Sequence, residues 1–343
     1  MTGEIIYRYA TDDDLPACTN IWAAGIGDYY RNRLHQAWEP GDLEPLRRLL
    51  AHLRSTDPEL FLVATAGPDE DAPVVAFGSA NRRGATWFLS MLFVGPEVQG
   101  AGVGRAILTR LLPDGARDEA VAGGEASNED AGGAIPGTEA SPARPPIGTA
   151  TDSAQPISNA LYARFGMIPR VPVFQLVGRP ANPAELPPLW AGVSAVEFEE
   201  LAAGRPGGPG HRALVDAIAS IDREVLGYER PADHRFLRME GRRGFLYRDP
   251  QGAPLGYGYA APSGRLGPVA TLQPAHLAPI TAHLLRAVTP PGANAIWVSG
   301  GSEHVLPMLL RAGLRIDGFP AFLCWNRPLL DLRRYVPISL GLI

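Results

Sequence analysis

The stretch "MLFVGPEVQGAGVGRAIL", residues 91–108, passes from an apolar run through Pro96 and Gln99 into glycines at 100, 102 and 104, and then into a helical pattern. A strand, a turn and a helix N-terminus in that order form an anion site, because first-turn amides lack intrahelical partners and the helix dipole favours negative charge. Phosphate is the expected guest. Glycines let the backbone approach it, since a Cβ there would meet the ligand or forbid the dihedrals needed. Two common phosphate loops are excluded. The dinucleotide fingerprint needs a third small residue where Arg105 or Ile107 stands, and the Gly-Lys-Ser/Thr ending of a P-loop is missing.

Upstream, "EIIYRYA" alternates like a strand and "LEPLRRLLAHLRS" repeats apolar residues at helical spacing. "LFLVATAG", "APVVAFGSANRRG" and "ATWFLSMLFVG" follow as three strands joined by turns rich in Gly, Asp and Pro, an antiparallel meander in a mixed α/β domain. Downstream, residues 114–148 contain no aromatic and no leucine, so they bury too little apolar area to offset chain entropy. They read as a flexible acidic Gly/Ala-rich insertion. Order returns at "TATDSAQPISNALYARFGMIPRVPVFQLVGRP": a strand, a polar turn, a helix opened by Pro156, a stop at Gly166 and a closing strand.

The chain also repeats itself. "RFGMIPRVPVFQLVGRP" and "RAGLRIDGFPAFLCWNRP" share a Gly after a short helix, a Pro-x-Phe and a terminal Arg-Pro, and they lie about one domain length apart. "RGFLYRD", "PLGYGYAAPSG" and "RLGPVATL" repeat the strand series, with "LAPITAHLLRAV" as the following helix. The expected organisation is a first domain over 1–180, a Pro-rich linker over 181–192 and a second copy over 193–343.

Composition narrows the function. With 343 residues, 45% hydrophobic and 20% charged, the chain describes a globular protein of two domains without a membrane span. The start "MTGEIIYRYATDDDL" lacks the basic and apolar regions of a signal peptide, so the cytoplasm is the expected location. A net charge of −5 and the lack of a basic run interleaved with aromatics argue against nucleic acid. Cys18 and Cys324 lack metal-ligand spacing, so neither a metal nor a disulfide framework is expected.

The loop resembles the acetyl-CoA loop of the GNAT (Gcn5-related N-acetyltransferase) superfamily, whose Val-x-Pro-x-x-Gln/Arg-x-x-Gly-x-Gly/Ala pattern is met by Val94, Pro96, Gln99, Gly102 and Gly104. Leu161, Tyr162, Gly166 and Met167 likewise resemble the family's later Leu-Tyr-x-x-x-Gly-Phe/Met motif. The resemblance implies an α/β (α+β) fold: two GNAT-like domains, each a mixed, mostly antiparallel sheet flanked by helices. It also implies an N-acetyltransferase whose co-substrate is acetyl-CoA. Backbone groups of Leu92, Phe93 and Val94 would pair with the pantetheine arm, with the amide of Leu92 or Phe93 polarising the thioester carbonyl. Gln99 and the amides of Gly100, Ala101, Gly102, Val103, Gly104 and Arg105 would wrap the diphosphate. Tyr162 would protonate the departing thiolate. Gln155, where many relatives have Asn, would bind pantetheine or a water, and Asn159 lies on the same helical face as Tyr162.

The acceptor is less legible. A lysine-like amine needs about 4 to 5 kcal/mol to deprotonate at pH 7, so a base is useful. Where several relatives carry a Glu, this chain has Trp87, Phe88, Leu89 and Ser90. Asp28, Tyr29, His35 and Glu39 are candidates on the acceptor side. The implied partner is a small-molecule or peptide amine, with no nucleic acid and no membrane, and homodimerisation is left open. In the second copy Leu309 aligns with Tyr162, and "TLQPAHLAPIT" replaces the loop without any glycine. That copy is expected to neither catalyse nor bind CoA in the same manner. A non-catalytic acyl-CoA-binding sensor or scaffold is the alternative to an enzyme.

Overall fold

The computed structural model describes residues 4–114, 116, 145–202 and 207–343, which divide into two compact units. The first comprises the described residues of Met1–Thr149, Ala154–Pro169 and Cys324–Arg327. Ile5–Tyr9 (β1), Phe61–Ala66 (β2), Val74–Arg83 (β3) and Thr86–Val94 (β4) pair antiparallel in chain order. Leu15–Asn32 (α1) and Glu44–Thr56 (α2) pack on β3, as does Val103–Leu111 (α3). Gly78 lets α3 close onto the sheet: a Cβ there would lie 2.5 Å from Ile107 Cγ2 and 3.0 Å from Leu111 Cδ1. The opposite face carries Phe61, Phe77 and Phe93, stacked at 5.9 and 5.7 Å between centroids, with Trp22 of α1 at 6.2 Å from Phe93.

Ile147–Asp152 (β5) begins parallel to β4, with Trp87↔Ile147, Phe88↔Gly148 and Leu89↔Thr149 as its rungs. Ile147 and Gly148 therefore belong to a strand rather than to the insertion expected over 114–148. Ile147 is fully buried, and its carbonyl and amide are held by Asn326. Most of that insertion, residue 115 and residues 117–144, lies outside the described residues. Pro156–Arg164 (α4) follows and stops at Gly166, whose φ is +78°.

The second unit comprises the described residues of Ala150–Ser153, Arg170–Leu323 and Pro328–Ile343. Ile168–Gly178 (β6), expected to close the first domain, pairs antiparallel with Asn294–Ser299 (β11) in this unit, with Arg315–Ile316 (β12) pairing to it as well. Within Ala321–Trp325 (β13), the division falls between Leu323 and Cys324. The compact units thus do not divide at 180 and 193: each repeat's last strand is counted, wholly or in part, with the other unit. Residues 181–192 are not a free linker either, since Leu186 is buried in the second core and Trp190 packs against it.

Ser194–Glu197 (β7), Arg243–Arg248 (β8), Pro254–Ala260 (β9) and Leu266–Thr271 (β10) repeat the antiparallel series. Pro209–Leu226 (α5) and Pro231–Met239 (α6) precede β8, while Pro274–Ala287 (α7) and Val305–Arg311 (α8) follow β10. The last strand, Tyr335–Val336 (β14), pairs with β10 on the edge away from β9.

Candidate functional site

The register of β4 sets the chemistry of its outer edge. Trp87 donates its amide to Pro146, and the Leu89 carbonyl accepts the Thr149 hydroxyl at 3.0 Å, so residues 87 and 89 face β5. Regular alternation would continue with 91 and 93. The pairing shifts instead: Ala80 faces Leu89 but Ser79 faces Met91, which leaves Ser90 as the extra residue of a bulge. Gly95 accordingly donates to Val75 on the β3 side at 2.8 Å, and it is Leu92 and Val94 that turn their backbone groups outward. Among the described residues no strand pairs with this edge beyond Leu89. The edge is therefore a fork, closed up to Leu89 and Thr149 and open after them. The backbone of Phe93, expected to join Leu92 and Val94, points to β3, while its ring joins the aromatic stack.

Beyond Val94 the chain makes the bend expected of the glycine loop. Gly100 and Gly102 have φ of +83° and +80°, and a Cβ built on either meets no atom of the described residues within 4 Å. Positive φ explains their need for glycine, and the open space leaves room for a ligand. Gln99 donates Nε2 to the Val94 carbonyl at 3.0 Å and so braces the bend against the strand. Gly102 opens α3 with no side-chain cap, which leaves the amides of Val103, Gly104 and Arg105 as first-turn donors. The Val103 side chain is buried, whereas Ala101 and Arg105 are exposed. Gly104 is tight for another reason: a Cβ would lie 3.2 Å from Val94 Cγ2.

Tyr162 on α4 stands by the last rung of the fork. Its hydroxyl hydrogen-bonds with Ser158 and Thr149, and the same Thr149 hydroxyl reaches Leu89. The side chain is 5% exposed. Burial pushes the phenol well above its ordinary range, the neighbouring Cys324 adds to this, and the two hydrogen bonds only partly oppose it. Asn159 donates Nδ2 to the Gln155 carbonyl at 2.8 Å, and Gln155 Oε1 is buried without a partner among the described residues.

The acceptor-side candidates are scattered. Asp28 accepts from Asn32 at 2.6 Å, and Tyr29 is buried. His35 and Glu39 do not lie on the expected helical surface: α1 ends at Asn32, and His35 sits beyond it with φ of +52°. Among the described residues no group of three or more His, Cys, Asp or Glu could hold a metal ion, and no helix is long and apolar enough to cross a membrane.

The second unit contains a comparable fork, and it is filled. Just before β10, Arg265 forms a parallel bridge to Ala295 of β11, and β10 itself pairs with β14 through Val269↔Val336 and Ala270↔Tyr335. The Thr271 amide also donates to the Arg334 carbonyl at 3.0 Å. The chain's own C-terminal segment thus takes the edge that is open in the first unit. Leu309 is fully buried on α8, and Pro274 opens α7, where a glycine bend would be needed. The occupying strand leaves no periodic signal in the sequence, because two paired residues are too few for a period.

The first unit thus joins a forked sheet edge to a glycine bend at a helix N-terminus. Residues 27–132 match the model of the acetyltransferase (GNAT) family. The match ends before Gln155, Asn159 and Tyr162. No curated protein matches the chain. Among solved structures, it resembles a putative acetyltransferase from Pyrococcus horikoshii with a TM-score of 0.66 at 16% identity, over 100% of this chain and 96% of that one. A GCN5-related N-acetyltransferase from Sphaerobacter thermophilus gives 0.53 at 18% identity, over 96% and 98%. A tandem GNAT protein from the clavulanic acid biosynthesis pathway gives 0.52 at 13% identity, over 95% and 99%. At these identities the likeness is one of fold, and the fold is that of GNAT proteins along the whole chain.

Proposed function

We propose that the protein is an N-acyltransferase whose first unit moves an acetyl group from acetyl-CoA to an amine acceptor by direct attack. The observation that carries this reading is the fork: an edge that presents the backbone of Leu92 and Val94 and runs into a bend whose amides suit a diphosphate. A pantetheine arm has the amides to pair with that edge as an added strand, and the α3 N-terminus favours its phosphates. In the reaction the amine nitrogen bonds to the acyl carbon as the carbon–sulfur bond breaks. The nitrogen gives up one proton and the thiolate gains one, which Tyr162 would supply.

The deep burial of Tyr162 favours a second reading, a non-catalytic acyl-CoA-binding sensor or scaffold. Turnover separates the two. The protein is mixed with acetyl-CoA and an alkyl diamine, an amino sugar, an arylalkylamine or a lysine peptide, and free thiol is measured. Amine-dependent thiol release supports the enzyme; tight CoA binding without release from any of these amines supports the sensor.

A further inference from the structure

The bulge that sets the phase of β4 also aims a side chain. Phe77 and Phe93 lie on the α1 face of the sheet, and the register puts Ser79, Asn81 and Met91 on that same face. Ser90, the extra residue, is turned there too: Asn81 Nδ2 donates to its Oγ at 2.8 Å. Asn81 is 5% exposed and Ser79 is fully buried, and the Ser79 hydroxyl has no partner among the described residues. This is a polar strip in an apolar wall formed by Phe77, Met91, Phe93 and Trp22. Polar groups in such surroundings cost free energy unless something hydrogen-bonds to them. Ser90 also occupies a decisive point, being the first residue past the last β4–β5 rung.

We infer that Ser90 binds the acceptor amine at the mouth of the fork and that Asn81 is its positioning residue. The inference rests on the acyltransferase reading of the first unit. A neutral primary amine has two N–H donors and one lone pair, and the lone pair must face the acyl carbon. A hydroxyl oxygen that accepts one N–H orients the nitrogen without using that lone pair. Ser90 Oγ has two acceptor sites, of which Asn81 occupies one, so the serine rotamer is fixed and one site is left for the amine. Ser90 takes no proton in this role: the amine's proton leaves as the nitrogen–carbon bond forms, and the thiolate is protonated from elsewhere.

The test is a double-mutant cycle on the intact protein, with acetyl-CoA and each amine of the panel above. Ser90→Ala is expected to lower kcat/KM for the amine about 10- to 100-fold, the order of loss that misplacement of a reacting group produces, with CoA affinity by calorimetry unchanged. Asn81→Ala is expected to fall in the same range, and Asn81→Ala added to Ser90→Ala to cost nothing further, because Asn81 acts through the serine. Ser90→Thr, which keeps the hydroxyl, restores most of the activity. If wild type is active but Ser90→Ala matches it, or if the two losses multiply, this inference is overturned and the acyltransferase reading stands. If wild type releases no thiol with any amine, both fall.

Discussion

The Tyr162 phenol is held in its protonated form by burial, and that has a measurable consequence. An acid whose pKa lies above its usual value near 10 stays competent across the neutral and mildly alkaline range. The pH profile of kcat/KM is therefore expected to show no alkaline loss below about pH 10 attributable to this group. Tyr162→Phe is expected to lower kcat about 10²- to 10⁴-fold while leaving CoA affinity within a factor of a few, as measured by thiol release and calorimetry. A second residue-scale case lies in the other unit, where Asp222 accepts from Tyr257 at 2.5 Å and from His234 Nε2 at 2.7 Å, with Arg230 Nε at 3.5 Å. Burial acts to raise the Asp222 carboxyl, but Arg230, His234 and Tyr257 outweigh it and hold it below the usual range. Burial lowers His234, which stays neutral with Tyr259 as its other partner at 2.9 Å. Both folded-state values lie below the unfolded ones, so both groups stabilise the fold at neutral pH and cease to as pH falls. The loss begins below about 6.5 for His234 and below about 4 for Asp222. Arg230→Met leaves that carboxylate buried without its cation and is expected to cost about 3–5 kcal/mol in denaturant unfolding at pH 7. A change below about 1 kcal/mol would show that the pair is not buried as described.

At the scale of elements, the first turn of α3 makes opposite demands on stability and binding. Arg105 is exposed three residues past the opening Gly102, where an acidic side chain suits the dipole. Arg105→Glu is therefore expected to leave thermal stability unchanged or raise it by up to about 1 kcal/mol, yet to weaken CoA binding by repelling a diphosphate. Loss of both would mean that the turn itself had collapsed. The turn was readable because its glycines, its Gln99 and the helical period after them are all local. The β2–β4 meander and the helix opened by Pro156 were legible for the same reason. The bulge was not: "FLSMLFV" contains no glycine or proline to mark an extra residue, and only pairing with β3 reveals that Ser90 has no opposite number. Nor were the partners of β6 and β13, because a repeat in sequence suggests that each closing strand stays with its own copy. The polar network around Asp222 draws on residues from 222 to 335, a span over which no periodicity operates.

For the molecule as a whole, the two units carry two forks with different contents. In the first unit the edge of β4 beyond Leu89 has no strand beside it among the described residues, whereas in the second the corresponding edge of β10 carries β14. That strand is well secured. Arg334 pairs with Asp331 and Glu224, the Ser302 hydroxyl donates to the Leu332 carbonyl at 2.9 Å, and Tyr335 is fully buried with its hydroxyl accepting from Arg230 at 2.7 Å. A pantetheine arm would have to displace these hydrogen bonds and expose Tyr335 and Val336, and no glycine bend waits to hold its phosphates in return. On the proposed reading, one CoA per chain is expected. Calorimetric titration of the intact protein with CoA is expected to give a stoichiometry of one, and Arg105→Glu is expected to weaken that single event. A stoichiometry of two, or a site of undiminished affinity in Arg105→Glu, would show that the segment around β14 yields to the ligand and that the second unit is a working CoA site.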